Sequence, residues 1–264
     1  MFRNATRLFL IAAGCLVVAQ AQEQPSYIRD YCVKAVPGKG AEFADMLHDI
    51  TAKVMRVRID EGHAVWGLVL SSVVPAGTAA RCDFHIIYGY NGFPPEAPTA
   101  EQTTAELKKA GFDMTGAQWA AMRDRASTLV NLDIWQAVAE GGPLLEKGQY
   151  ARLNYFHVKP GQEAAWLKLE TTGWMPLVAS LKDSGLGWHL VTLAMPAGEY
   201  LHYDGLTVDT FPSWTALGHG VPVDAAWPKV HPEMPFADYI SQVGKTVERY
   251  RIDVVQVLEV VVPK

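Results

Sequence analysis

Residues 27–38 read YIRDYCVKAVPG, and residues 150–161 read YARLNYFHVKPG. Each opens Tyr-x-Arg, runs on in extended style and stops at Pro-Gly, a pair that ends regular structure. The two stretches lie 123 residues apart. Outward from them the matches continue in one order. Gly62 is answered by Gly185 at the same offset, and Trp66-x-Leu68-Val69 by Trp188-x-Leu190-Val191 at 122. Pro75-Ala76-Gly77 is answered by Pro196-Ala197-Gly198, and Asp83 by Asp204, both at 121. Leu132-Asp133-Ile134-Trp135-Gln136 is answered by Ile252-Asp253-Val254-Val255-Gln256 at 120. An ordered series with so little drift points to a tandem duplication. The repeats span residues 27–140 and 149–262.

Each repeat reads strand, helix, strand, strand, helix, strand. In the first helix of repeat one, Phe43, Met46, Leu47, Ile50, Val54 and Val57 share a face. Leu167, Trp174, Val178 and Leu181 do so in repeat two, where Gly173 and Pro176 predict an interruption. The Pro-Ala-Gly stretches read as hairpin turns. The last helix of repeat one opens with a capping box, Thr115 to Gln118. In repeat two the corresponding face is Phe236, Ile240, Val243 and Val247. Final strands are expected over residues 132–138 and 252–262.

The order βαββαβ is the split βαβ arrangement of ferredoxin-like folds. Right-handed crossovers leave one strand between each parallel pair, giving the sheet order last, first, third, second. Strands such as Leu190-Val191-Thr192-Leu193-Ala194-Met195 are apolar on both faces and need cover on both. Helices cover one face, and the other repeat is the natural cover for the second. The expected fold is α+β: two ferredoxin-like repeats packed sheet to sheet as a single-chain, pseudo-dimeric α/β barrel.

That arrangement resembles the dimeric α/β-barrel superfamily, fused into one chain. The superfamily includes small antibiotic-biosynthesis-type monooxygenases, EthD-like and NIPSNAP-like proteins. The chain is also similar to uncharacterised secreted bacterial proteins with this repeat. The residues that carry the likeness are Val158-Lys159-Pro160-Gly161, Trp188 opening a strand, and Leu129-Val130-Asn131-Leu132-Asp133-Ile134-Trp135. The resemblance implies a pocket between sheet and helices. It implies no single chemistry, because fold does not fix function.

The 264 residues are 49% hydrophobic and 19% charged, with a formal net charge of −5, which excludes a disordered or collagen-like chain. Residues 1–21 read as a secretory signal peptide: Arg3 and Arg7, an apolar run from Leu8 to Val18, then Ala19-Gln20-Ala21 as cleavage site. A lipoprotein signal ending at Cys15 is the weaker alternative. Periplasmic or secreted localisation follows, with no membrane association after cleavage. Cleavage removes two of the 23 basic residues and none of the 28 acidic ones, so the mature charge is −7. That disfavours nucleic acid as a partner. Cys32 and Cys82 remain, either as one disulfide or as two buried thiols. Fusion meets the need for a partner subunit internally, so monomer and homodimer are both open.

No nucleophile elbow, P-loop, zinc motif or dinucleotide fingerprint is present, so neither cofactor nor metal is expected. Gly185-Leu186-Gly187 reads as a turn. The best polar constellation follows from the repeat. Arg29 is expected between Asp83 and Asp133, and Arg152 between Asp204 and Asp253, as a buried network or an anion-positioning site. His202 and Asp204 share a strand face. They form a candidate acid–base pair, with Arg152 to stabilise an anion. Asn154, Tyr155, Trp174, Trp188, His189 and Tyr203 are the candidate ligand-binding residues, although core packing accounts for each aromatic equally well. Arg81 stands at the position aligned with His202, which favours repeat two for a single site. The segments Tyr90–Met114 and Phe211–Pro235 are long enough to be lids or padding. The expected function is binding of a small apolar or aromatic ligand in an aromatic-lined pocket. A cofactor-independent enzyme of monooxygenase or isomerase type and a non-catalytic partner-binding envelope protein are the alternatives.

Overall fold

Among the described residues, eight extended runs become eight strands: β1 (Ser26–Ala35), β2 (Trp66–Val74), β3 (Phe84–Asn91), β4 (Ser127–Gly141), β5 (Tyr150–Val158), β6 (Gly187–Met195), β7 (Gly205–Phe211) and β8 (Val247–Val261). The computed structural model describes residues 26–141, 145–196 and 202–264. The expected signal segment and the tip of the second Pro-Ala-Gly turn lie outside the described residues. All neighbouring strands are antiparallel. They close into one barrel in the order β1-β3-β2-β8-β5-β7-β6-β4. The runs β4-β1-β3-β2 and β8-β5-β7-β6 each follow the ferredoxin-like order expected from the sequence.

The closure differs from two stacked sheets. The two runs meet edge to edge, β2 on β8 and β6 on β4. The reason lies in β4 and β8, each 15 residues long. Residues 127–129, expected at the end of the helix that opens at Thr115, are already extended, because α4 (Gly116–Ala126) stops at Ala126. The first part of β4 pairs with β1 from Ser127 to Gln136, and its last part pairs with β6 from Ile134 to Gly141. Strand β8 does the same with β5 and β2. Closure leaves no unpaired edge, which is how all-antiparallel sheets avoid edge-to-edge association.

Helices cover the outside. In the first half α1 (Gly40–Met46) and α2 (Ala52–Asp60) are joined by a π-helical turn, Leu47–Thr51, and α3 (Ala100–Lys109) precedes α4. In the second half α5 (Glu163–Leu169) and α6 (Met175–Ser180) flank a π-helical turn at Glu170–Trp174. They are followed by α7 (Trp214–His219), α8 (Val223–Val230) and α9 (Phe236–Thr246). The interruption expected near Gly173 and Pro176 is present. The first half has the same interruption with neither residue, so they do not cause it. Gly173 serves packing instead: a Cβ there would stand 2.5 Å from the Tyr239 ring. Thr115 caps α4 in a capping box with Gln118, as expected, and Thr99 caps α3 with Gln102. The apolar face of α9 is turned from expectation: Tyr239 is buried, whereas Ile240 is 49% exposed. Both long segments contain helices, α3 in one and α7 and α8 in the other.

Apolar packing falls into an interior cluster around Leu70, Trp135, Leu153 and Val255, and outer layers under the helices. Cys32 and Cys82 form a disulfide between β1 and the segment before β3, with a sequence separation of 50. Closing a loop of that length in the unfolded chain is worth about 4 kcal/mol in the chain-entropy model. The Cys32→Ala, Cys82→Ala double variant should therefore lose up to that much stability in denaturant titration. The oxidised wild type treated with reductant should approach the same value.

Candidate functional site

Strand parity decides which side chains meet. Along β1, Ile28 and Asp30 point into the barrel, whereas Tyr31 and Val33 face the helices. A one-residue step moves a side chain to the opposite face. The β1–β4 register sets Asp30, not Arg29, opposite Asp133, and the β5–β8 register sets Leu153, not Arg152, opposite Asp253. The expected networks of Arg29 with Asp83 and Asp133, and of Arg152 with Asp204 and Asp253, therefore do not form. Asp83 and Asp204 sit one residue before their strands. The Asp83 carboxylate accepts from Ala35 N at 2.9 Å, and the Asp204 carboxylate accepts from Val158 N at 2.7 Å. Both tie down the end of the neighbouring first strand.

The expected catalytic set is likewise dispersed. His202 is exposed and stacks on Tyr250, with ring centroids 5.3 Å apart. The nearest histidine partner of Asp204 is His157, at 3.6 Å. Arg152 instead pairs with Asp209, a residue the sequence reading passed over. Nε and Nη2 of Arg152 donate to Asp209 Oδ2 at 3.1 and 2.9 Å. Asn154 Nδ2 donates to the same oxygen at 2.9 Å, and Trp174 Nε1 to Oδ1 at 3.2 Å. So Arg152, Asn154 and Trp174 do converge, around a buried carboxylate under the second-half helices. Trp188 is a fully buried core residue in that layer. Tyr155 and Tyr203 lie in the barrel interior against Trp135. His189 lies beside Glu140, and burial lowers its pKa.

The open space is in the first half. A cavity of about 440 Å³ lies between the outer face of β1 and β3 and the helices α1 to α4. Phe43, Leu47, Val54, Ile86 and Trp119 give it an apolar body. Tyr31, Tyr88 and Arg58 stand in its wall, and Thr51, Thr103, Arg123, Asp124 and Ser127 add further polar groups. Nε and Nη2 of Arg58 both donate to Glu106 Oε2, at 3.0 and 2.7 Å, which leaves the Nη1 edge free of that carboxylate. The guanidinium carbon lies 5.3 Å from the Tyr88 ring centre. Burial works against the charge of Arg58, but Tyr88 and Glu106 outweigh it and hold the group cationic. Burial also raises the pKa of Tyr88, so its hydroxyl stays protonated.

The second-half counterpart of this space is filled. At aligned positions Thr51 is replaced by Trp174, Gly116 by Phe236, Val33 by Phe156 and Phe43 by Trp166. Trp174 and Phe236 pack at 6.3 Å, as do Phe156 and Trp166 at 5.9 Å. The larger side chains of the second half at these positions were readable from the sequence alignment of the two halves. So was Arg58, a charge set among the apolar positions Val54, Met55 and Ile59.

No family model matches the sequence, and no curated protein matches it. Solved structures do share its fold. A protein named as a candidate monooxygenase from Fusobacterium nucleatum subsp. nucleatum aligns over 90% of this chain and 93% of its own, with 12% identity and a TM-score of 0.54. An anthrone oxidase-like protein aligns over 90% and 93%, with 13% identity and a TM-score of 0.52. A haem-binding protein from Thermus thermophilus covers 90% and 92% at 12% identity, with a TM-score of 0.42. The strand order and the two likenesses with TM-scores above 0.5 make the architecture that of the α+β barrel proteins of ferredoxin-like type.

Glu170, next to Trp166 and in the field of Asp209, is pushed up to about 8, chiefly by burial. A carboxyl whose folded pKa is raised contributes stability below its unfolded pKa, and that contribution is lost as pH rises through the folded value. Wild-type stability should therefore fall between about pH 5 and pH 9. Glu170→Gln, which stays neutral, should flatten that slope in denaturant titrations at several pH values. An unchanged slope would mean Glu170 is ionised in the folded state.

Proposed function

We propose that the chain binds a small, largely apolar, ring-bearing molecule with one oxygen function in the first-half cavity. The observation that carries this reading is the pairing of an apolar cavity with the buried Arg58 and Tyr88 in its wall, where the second half carries packed aromatic side chains. Its volume lies within the usual range of small-molecule sites, which are mostly apolar with a few placed polar groups. Arg58, fixed by Glu106, and the Tyr88 hydroxyl are donors for a phenol, carbonyl or carboxylate oxygen. The site moves from the second repeat, with its expected His202, Asp204 and Arg152, to the first. We read the two halves as a tandem duplication forming a pseudo-dimeric barrel, with residues 27–140 and 149–262 as the repeats. We read the chain as exported through its N-terminal signal.

An oxygenase reading is the second possibility, favoured by one feature. A cation and a hydroxyl in a desolvated wall stabilise an oxyanion as it develops on a bound ring. The two neighbours with the higher TM-scores carry names of that type. A haem does not fit the cavity. Its lining residues include no histidine, cysteine or methionine, leaving Tyr31 and Tyr88 as the only side chains of a haem-ligating type.

The test is titration of the full chain with 2-naphthol, followed by tryptophan fluorescence. Saturable binding is expected. Thr51→Trp, which places in the cavity the side chain that fills the second half, should abolish it while leaving the fold intact. Arg58→Lys should weaken it by about tenfold, the cost of one charge-assisted hydrogen bond. Equal affinity in wild type and Thr51→Trp would refute the site.

A further inference from the structure

The barrel interior carries a polar layer that the proposed function does not use. His85 Nδ1 lies 2.9 and 3.0 Å from the two carboxylate oxygens of Asp30. Asp30 faces Asp133 across the β1–β4 ladder. Asp253, from β8, accepts from Arg251 Nε at 2.6 Å. The Tyr203 hydroxyl donates to Asp133 Oδ2 at 2.7 Å and accepts from Arg81 Nη1 at 2.5 Å. The Tyr203 ring stacks on Trp135 with centroids 5.7 Å apart.

Three buried atoms of this region have no hydrogen-bond partner among the described residues: His85 Nε2, Asn131 Oδ1 and Trp135 Nε1. The orientation of the Asn131 amide is fixed by its Nδ2, which donates to Asp133 Oδ1 at 2.6 Å. Buried polar atoms left unpaired are costly and rare, so three in one region call for a physical reason.

Folding does not supply that reason. At the positions of Asp30 and His85 the second half carries Leu153 and Leu206, and both pack in the same barrel interior. Replacing a buried ion pair by packed apolar side chains is often neutral or stabilising. The chain thus contains its own demonstration that this position tolerates two leucines. Each carboxyl group of the layer already has a partner within the protein, Asp30 in His85, Asp133 in Tyr203 and Asn131, and Asp253 in Arg251, so the layer suits an uncharged guest. The Asp30 carboxylate outweighs burial and raises the pKa of His85, which makes Nε2 a donor. Trp135 Nε1 is a donor, and Asn131 Oδ1 is an acceptor.

We propose that this layer is a second binding site, separate from the first-half cavity, for a small uncharged molecule with an amide-type group. Its carbonyl oxygen accepts from His85 Nε2 and Trp135 Nε1, and its N–H donates to Asn131 Oδ1. Acetamide is the probe. In the 15N-labelled full chain, acetamide should shift the Trp135 indole and His85 imidazole signals saturably. The Asp30→Leu, His85→Leu double variant should melt at or above the wild-type temperature and bind at least about tenfold more weakly. Arg58→Lys, in the other cavity, should leave the acetamide response unchanged, which separates this site from the proposed function. The inference is overturned by an absent or unsaturable shift, or by equal affinity in the double variant. It is equally overturned if the double variant fails to fold, because the ion pair would then be framework.

Discussion

Two strands hold this molecule shut. Strands β4 and β8 each belong to two ladders, one with the first strand of their own half and one with the second strand of the other half. Without that sharing each half would expose an unpaired edge and an apolar sheet face. With it, the inner face of both halves becomes one common core, crossed by Trp135, Leu153 and Val255. Every helix is then left outside, and two spaces exist between helices and barrel wall. Those spaces do not touch one another's packing, so they can differ while the barrel stays the same.

They do differ. Under the second-half helices, Trp166, Trp174, Trp188, Phe156 and Phe211 fill the layer. So much apolar mass strips water from any acid that remains. Arg152, Asn154 and Trp174 all donate to Asp209, whereas Glu170, with the Trp166 indole as its hydrogen-bond partner, is held toward its neutral form by burial. The first half makes the opposite choice. Thr51 and Gly116 are small, and Tyr31 and Tyr88 stand where Asn154 and Asp209 stand in the second half. Gly116 cannot be enlarged cheaply, since a Cβ there would meet the Ala100 carbonyl at 2.3 Å. The cavity is bounded by close backbone contact on that side and does not arise from loose packing.

The strand order was legible in YIRDYCVKAVPG and its counterpart, because periodicity and turn residues are local signals. Closure was not. It depends on β4 and β8 reaching past their own sheet, and nothing within Ser127–Gly141 names the partner it will meet. The site failed on a finer point. Placing Arg29 beside Asp133 needed the register to one residue, and a single step turned that aspartate inward, opposite Asp30. Asp83 and Asp204 repeat faithfully because both clamp a strand end, a structural duty that a repeat preserves. The cavity lies where the two halves differ, and Thr51 against Trp174 was visible in the sequence from the start.

The first half carries the less favourable packing: an open cavity, a buried Arg58–Glu106 pair and a buried His85–Asp30 pair. Each costs desolvation or lost dispersion contact; at the aligned positions the second half has Leu153, Leu206 and Leu181 instead, and its own part-buried pair is Arg152–Asp209. The first half also carries the Cys32–Cys82 link, and Cys32 is the β1 residue registered against His85. A cross-link acts on the unfolded ensemble, so it offsets those costs without filling any space in the folded state. Apolar filling at the same sites would offset them too, but it would remove the groups that give the cavity and the barrel layer their chemistry. The disulfide is therefore a form of stabilisation compatible with keeping the cavity and the buried polar pairs.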